Sequence, residues 1–170
     1  IGATRNNTIY GYSFGAAVAG LAAFGGGYVI NVLDGDTTAS ILNSLVDMKG
    51  SGAASVVARD TTRATTLAVQ VAASIGGAVS FGSAVTVARA DVAALVRNST
   101  ISNAASFTAQ AISDAALTLR TIGVAVGGVA GGAMVSVAHL TNTVRAQVED
   151  SILTSVGTAT VEATGLWDVY

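Results

Sequence analysis

The residues of this chain that could do chemistry are few, and their spacing gives each of them a plain alternative role. His139 is the only histidine, so a Ser-His-Asp arrangement has no partner set to join, and His139 reads as a loop residue without a catalytic task. Asp34-Gly35-Asp36 places two carboxylates around a glycine, a pairing that could offer oxygen ligands to calcium. Neither an EF-hand loop nor a nonapeptide calcium repeat surrounds it, so it reads as a turn. Gly25-Gly26-Gly27 lacks the following Lys-[Ser/Thr] of a phosphate-cradling loop, which leaves its glycines as turn or close-packing positions. Asn6-Asn7-Thr8 and Asn98-Ser99-Thr100 spell glycosylation sequons, which read as chance in a chain of this composition. With no paired carboxylates and no cluster of ligating side chains in view, the expectation is a protein that is not an enzyme, with no cofactor and no metal.

Aromatic residues form the remaining group. Tyr10, Tyr12, Phe14, Phe24 and Tyr28 lie near the start, and Trp167 and Tyr170 at the end. A sugar-binding platform is one reading, and Gly123, Gly127 and Gly131 have the spacing by which membrane helices touch. The preferred reading is self-association through Tyr10, Tyr12, Phe14, Trp167 and Tyr170, because large aromatics near the ends of a stacked protein cover its last layer or join copies.

Composition supports association. Of 170 residues 51% are hydrophobic and only 11% charged, with twenty glycines, no proline and no cysteine. Ordinary soluble domains carry about 25% charge, so few charges here keep neighbouring copies apart. A net charge of −2 gives no electrostatic hold on nucleic acid, and the lack of cysteine excludes disulfides and thiolate metal sites. The chain opens at Ile1 without a basic-then-apolar signal segment, which reads as a processed product or a piece of something longer.

The elements that would position these residues repeat. Residues 39–58 (ASILNSLVDMKGSGAASVVA), 94–109 (ALVRNSTISNAASFTA) and 146–163 (AQVEDSILTSVGTATVEA) share one pattern, with alanine landmarks at Ala58, Ala109 and Ala163 and serines at Ser44, Ser99 and Ser151. The intervals are 51 and 54 for the alanines and 55 and 52 for the serines. A period of roughly fifty residues points to a solenoid or array. The repeats are set at approximately 1–58, 59–109 and 110–163, with a tail at 164–170, in one repeat domain spanning 1–170.

Between the landmarks lie glycine-rich apolar runs. Period-two alternation in Leu67-Ala-Val69-Gln-Val71, Val85-Thr-Val87 and Val135-Ser-Val137 argues for strands. Glycine pairs at Gly76-Gly77, Gly127-Gly128 and Gly131-Gly132 would cost a helix about 1 kcal/mol per glycine and suit turns. Asn6-Asn7 reads as a loop. Asp34-Gly35-Asp36, Arg89-Ala90-Asp91 and His139-Leu140-Thr141-Asn142 read as one surface corner, and Arg59, Asp60, Arg63, Asp114 and Arg120 as a second. The expected fold is all-β: a β-solenoid of about three repeats of about 52 residues, taken as roughly six rungs and a rod about 30 Å long, with a single wide rung per repeat as the other possibility. The competing reading is a small membrane protein with glycine-rich helices at 15–33, 67–88 and 121–138.

Val29-Ile30-Asn31-Val32 with Thr38-Ala39-Ser40-Ile41, Val85-Thr86-Val87 with Ala94-Leu95-Val96, and Val135-Ser136-Val137 with Arg145-Ala146-Gln147-Val148 resemble the repeats of large bacterial surface adhesins and exoproteins of the filamentous-haemagglutinin and leukotoxin-adhesin type. The resemblance covers nearly the whole chain and implies a secreted or cell-surface β-solenoid for extension, adhesion or matrix building, with no catalytic residues to carry over. Low charge and the open sheet edges of an uncapped solenoid make copies of the chain the expected partners, head-to-tail or lateral, and the adhesin resemblance adds a host or matrix surface. Nucleic acid is not among the expected partners.

Overall fold

In the computed structural model, which describes residues 1–49 and 52–170, the described chain is strands, tight turns and corners. The strands are β1 (Gly2–Ala19), β2 (Ala22–Leu42), β3 (Leu45–Asp47), β4 (Ala53–Ser74), β5 (Gly77–Arg97), β6 (Thr100–Ser102), β7 (Ser106–Val126), β8 (Val129–Glu149), β9 (Ile152–Thr154) and β10 (Thr158–Val169). Each strand pairs in parallel with the strand one repeat away. The resulting sheets have the orders β1-β4-β7-β10, β2-β5-β8 and β3-β6-β9, here the front, back and short sheets. The expected β-solenoid of three repeats is the observed fold.

The rungs are wider and fewer than six. Each repeat supplies one strand to each sheet, so it makes one wide turn, and the described residues form three rungs and the opening strand of a fourth. At about 4.8 Å per layer the front sheet is roughly 14 Å tall between its outermost strands. The reason is that segments expected to turn stay extended. Asp34-Gly35-Asp36 lies in register with Arg89-Ala90-Asp91 and with Thr141-Asn142-Thr143, all in mid-strand. Arg59, Asp60 and Arg63 lie within β4 and Asp114 and Arg120 within β7, so the second expected corner is also strand; Asn6-Asn7 is in β1 and Gly131-Gly132 in β8. Every second residue of a strand projects to solvent, so an outward charge does not interrupt it.

Among the described residues the sheets are joined by two-residue reversals at Gly20-Leu21, Ile75-Gly76 and Gly127-Gly128, which form the thin tip of the slab. The expected helices at 15–33, 67–88 and 121–138 are therefore each strand, tight turn and strand. Among the described residues no helix is long and apolar enough to cross a membrane. Glycine and β-branched residues, weak helix formers, decide this locally. At the opposite, wide end the corners are left-handed at Asn43, Asn98 and Asp150 (φ 48°, 49° and 48°), and Asn and Asp tolerate that region better than most residues. The polar turn of the first repeat contains Gly50 and Ser51, which lie outside the described residues.

Ala58 and Ala163 stack in one column through Ala111, not Ala109. Ala109 stands two residues away, beside Val56 and Val161, and a two-residue step keeps the same face. Ala58 and Ala109 are fully buried; Ala163 is exposed on the outermost front strand. All three landmarks fall inside strands.

The wide end has a conventional core. Val56, Val92, Val96, Ile101 and Phe107 are fully buried there in one cluster with Ile41. Toward the tip the alternation has the opposite phase. Ala78, Ser80, Ala84 and Thr86 of β5 are buried between the sheets while Phe81 is 51% exposed. In β4, Ala68, Gln70 and Ala72 are buried and Leu67, Val69 and Val71 take the outer face. The tip interior is small and partly polar: the Asn31 amide donates to the Thr66 hydroxyl at 2.7 Å, which meets the Thr86 hydroxyl at 2.6 Å. Larger inward side chains fit where glycine leaves a hole. A Cβ at Gly15 or Gly27 would overlap the Gln70 amide, and one at Gly123 would overlap Met134.

Candidate functional site

Contacts along the stacking axis account for the serine landmarks. The Ser99 hydroxyl donates to the Arg97 carbonyl at 2.8 Å and accepts the Ser44 N–H at 3.1 Å. The Ser151 hydroxyl donates to the Glu149 carbonyl at 2.7 Å and accepts the Ser99 N–H at 3.2 Å. Each serine follows a left-handed residue, so its hydroxyl satisfies backbone groups that the corner takes out of the sheet. The intervals of 55 and 52 are thus the pitch of a side-chain ladder.

Ion pairs run the same way. Arg63 grips Asp114 with two bonds of 3.0 and 2.8 Å, Arg97 meets Glu149 at 2.9 Å and Arg145 meets Asp91 at 2.7 Å. Asp114 holds the Arg63 guanidinium above its usual pKa, first by hydrogen bonding and less by charge. These pairs are half-exposed and contribute at most about 1 kcal/mol each; their effect is to favour one register between rungs. Arg5 and Asp60 differ. Asp60 is fully buried, lies 2.6 Å from Arg5 and accepts the Thr62 hydroxyl at 3.0 Å, while Gly35 leaves room for the guanidinium. Removing Arg5 would strand the buried Asp60 carboxylate.

At the corner after β3, Asn103 donates to Asp47 at 2.9 Å and the Lys49 N–H at 3.1 Å. These bonds hold the Asp47 carboxyl below its usual range, Asn103 contributing most. A depressed folded-state pKa means this contribution is present above the unfolded carboxylate pKa of about 3.9 and fades as pH falls through the folded value.

The residues singled out for chemistry stay apart. His139 is exposed on β8 with its ring 3.1 Å from the Thr141 hydroxyl. Asp34 and Asp36 are exposed on β2. Among the described residues no group of three or more His, Asp or Glu side chains could hold a metal ion.

The aromatics divide into two groups. Tyr10, Tyr12 and Phe14 stand on the outer face of the first front strand at 64%, 67% and 74% exposure, with the two tyrosine rings parallel and their centroids 6.4 Å apart. Trp167 is in register with buried Ala115, which puts it on the inward face of β10, and it lines a shallow groove with Leu140, Asn142 and Val169. Tyr170 holds β7 through backbone bonds to Leu117 and Leu119, both 2.9 Å. The first three residues lie on the first rung and the last two on the fourth, so they do not make one surface.

A larger apolar surface joins Tyr12 and Phe14, expected from the sequence to associate, to aliphatic residues that the sequence did not mark as a site. The outer face of the front sheet near the tip carries Tyr12, Phe14, Val18, Ile122, Val124 and Val126. That of the back sheet carries Phe24, Tyr28, Ile30, Phe81, Val135 and Val137. Leu21 and Ile75 at the tip are each 85% exposed. The available signal was the company these residues keep: the positions between them are mostly alanine, glycine, serine, threonine and glutamine, with Val29 and Met134 as the larger exceptions, a set that suits a thin interior. No protein-family model, curated protein or solved structure matches the chain.

Proposed function

We propose that this chain is a non-enzymatic structural or adhesive element of the bacterial cell exterior, which assembles with its own copies into fibres or forms part of a long adhesin stalk. The observation that carries the reading is the axial ladder. Backbone pairing, the serine column and four cross-rung ion pairs all join residues about one repeat apart, so the chemistry of the molecule is directed at holding layers on one another. A linear stack in which each layer is held by its neighbours builds an extended rod with a long lateral surface. The likeness of the VxV segments to adhesin repeats supports the extracellular setting. Negative-stain electron microscopy of purified protein tests the proposal: fibres or rods are expected, and isolated compact particles at all concentrations would count against it.

A further inference from the structure

The axial ladders of the molecule end on groups that match one another. The hydroxyls of Ser99 and Ser151 each accept the serine N–H of the rung before. Among the described residues the Ser44 hydroxyl accepts no N–H and the Ser151 N–H meets no serine hydroxyl. One further step of the same ladder is therefore a Ser44 hydroxyl on a Ser151 N–H. Charge follows the same step. Asp36 is in register with Asp91, which Arg145 holds at 2.7 Å, yet Asp36 is exposed and belongs to none of the ion pairs.

Continuing the observed register above β8 and β7 with β2 and β1 of a second copy gives complementary neighbours. On the back, Asp34 and Asp36 of that copy stand over Thr141 and Thr143, flanked by His139 and Arg145, and no like charges meet. On the front its Tyr12 lies over Arg120, an exposed cation outside the ion pairs, with its Phe14 over Ile122 and its Asn6 over Asp114. A layer of 21-residue strands is about 70 Å long and about 10 Å thick. Each copy then covers roughly 700 Å², close to one partner's share of an ordinary specific interface.

Part of that place is occupied. Glu162–Val169 pairs with Gln110–Leu117 directly, and Gly2–Ile9 matches the same residues through Val57–Ala64. The two segments are versions of one strand: IGATRNNTIY (1–10) and VEATGLWDVY (161–170) share alanine, threonine and tyrosine at the third, fourth and tenth positions and an aliphatic residue at the first and ninth. Taking Gly2–Ile9 off its own β4 would leave the buried Asp60 carboxylate without Arg5. Taking Glu162–Val169 off β7 gives up one side-chain bond, from Gln110 to Glu162 at 3.1 Å, and Leu166, Trp167 and Val169 are already more than half exposed. We propose that the first rung of a second copy docks in register on the third rung of this one, its Gly2–Ile9 displacing Glu162–Val169 from β7.

This inference rests on the reading that the chain assembles with itself, but the two fail separately. The chain has no cysteine, so engineered pairs test the register. Leu45 and Ile152 are exposed and share one column of the short sheet with Thr100 between them. Within a chain two layers, about 10 Å, put them beyond disulfide reach, whereas docking sets Ile152 of one copy beside Leu45 of the next. Oxidation of an equal mixture of Leu45→Cys and Ile152→Cys should give a disulfide dimer at least tenfold above either variant alone, with Leu45→Cys/Thr100→Cys closing within one chain as control. No dimer in the mixture while the control closes, or equal dimer from a single variant, would overturn the proposal.

Proline variants test the displacement. Tyr170 bonds β7 through both its N–H and its carbonyl, so by alternation the Leu166 N–H also faces β7. Ile1 bonds β4 through both groups, so the Asn6 N–H points away from β4. Leu166→Pro should loosen the resident strand and bring cross-linking at about fivefold lower concentration. Asn6→Pro should require about fivefold more protein with unchanged strand circular dichroism. Cross-linking that ignores both prolines would refute the displacement. Fibres without the Leu45–Ile152 cross-link would leave the structural reading standing and remove this one; cross-linked pairs without fibres would do the reverse.

Discussion

The wide end and the tip of each rung use the same alternating pattern and bury opposite halves of it. At the wide end Phe107, Ile101 and Val96 point inward; at the tip Ser80 points inward and its neighbour Phe81 outward. Spacing between the sheets explains the difference. At the tip the chain reverses within about two residues, which brings front and back sheets together and leaves room mainly for alanine, glycine and small polar side chains, with glutamine or methionine where glycine makes a hole and Val29 on the edge strand β2. At the wide end Val46, Ile101 and Leu153 of the short sheet pack into one cluster with residues of the front and back sheets, a third wall that makes room for branched and aromatic residues. Alternation shows that a segment is a strand; the width available at each point decides which half of the pattern is buried.

The comparison can be broken most decisively with two phenylalanines. Phe107→Ala should destabilise the protein by about 3–5 kcal/mol in chemical denaturation, whereas Phe81→Ala should stay within about 0.5 kcal/mol when measured at a concentration where copies are apart. Equal effects would mean that the two ends are not built differently. A smaller effect tests the thin interior: Gly27→Ala should cost about 1–3 kcal/mol because its methyl meets the Gln70 amide, and less in a Gln70→Ala background. Additive effects in that cycle would remove Gln70 as the filler of the glycine hole. The smallest effect concerns the wide-end corners. Ser99→Ala removes both a donor and an acceptor from the ladder and should cost about 1 kcal/mol, measured as a lowered denaturation midpoint, with Ser44→Ala costing less because its hydroxyl only donates to the Leu42 carbonyl.

The repeat was legible because its landmarks obey the stacking geometry. Serine 44, 99 and 151 recur at the pitch of the rungs since each hydroxyl must meet the backbone of the next layer. Strand character was legible from the VxV segments and from glycine pairs that a helix would not favour. The number of rungs was not, because Asp34, Arg89 and His139 look like turn residues in isolation and only the pairing shows that they are outward positions in unbroken strands. Ala109 misled for a related reason: a shift of two residues preserves the face and leaves an equally plausible alignment. The aliphatic part of the apolar faces was not legible, because a valine in an alternating strand looks the same whether it faces a core or solvent. What distinguishes Val85 from Val56 is the opposing wall, and the repeat pattern alone does not reveal how far away that wall stands. The terminal aromatics were noticed as a group, yet Tyr12 and Trp167 lie on different rungs and different faces.

The chain has no cysteine, so a single introduced thiol reports on its own position. The most direct measurement compares maleimide labelling rates of Ser80→Cys and Phe81→Cys in dilute folded protein, with Val96→Cys as the buried reference of the wide end. The structure requires Phe81→Cys to label rapidly and Ser80→Cys to be protected about as well as Val96→Cys. Rapid labelling of Ser80→Cys together with protection of Phe81→Cys would show that the tip buries its large residues after all, and would contradict the inverted phase on which the account depends.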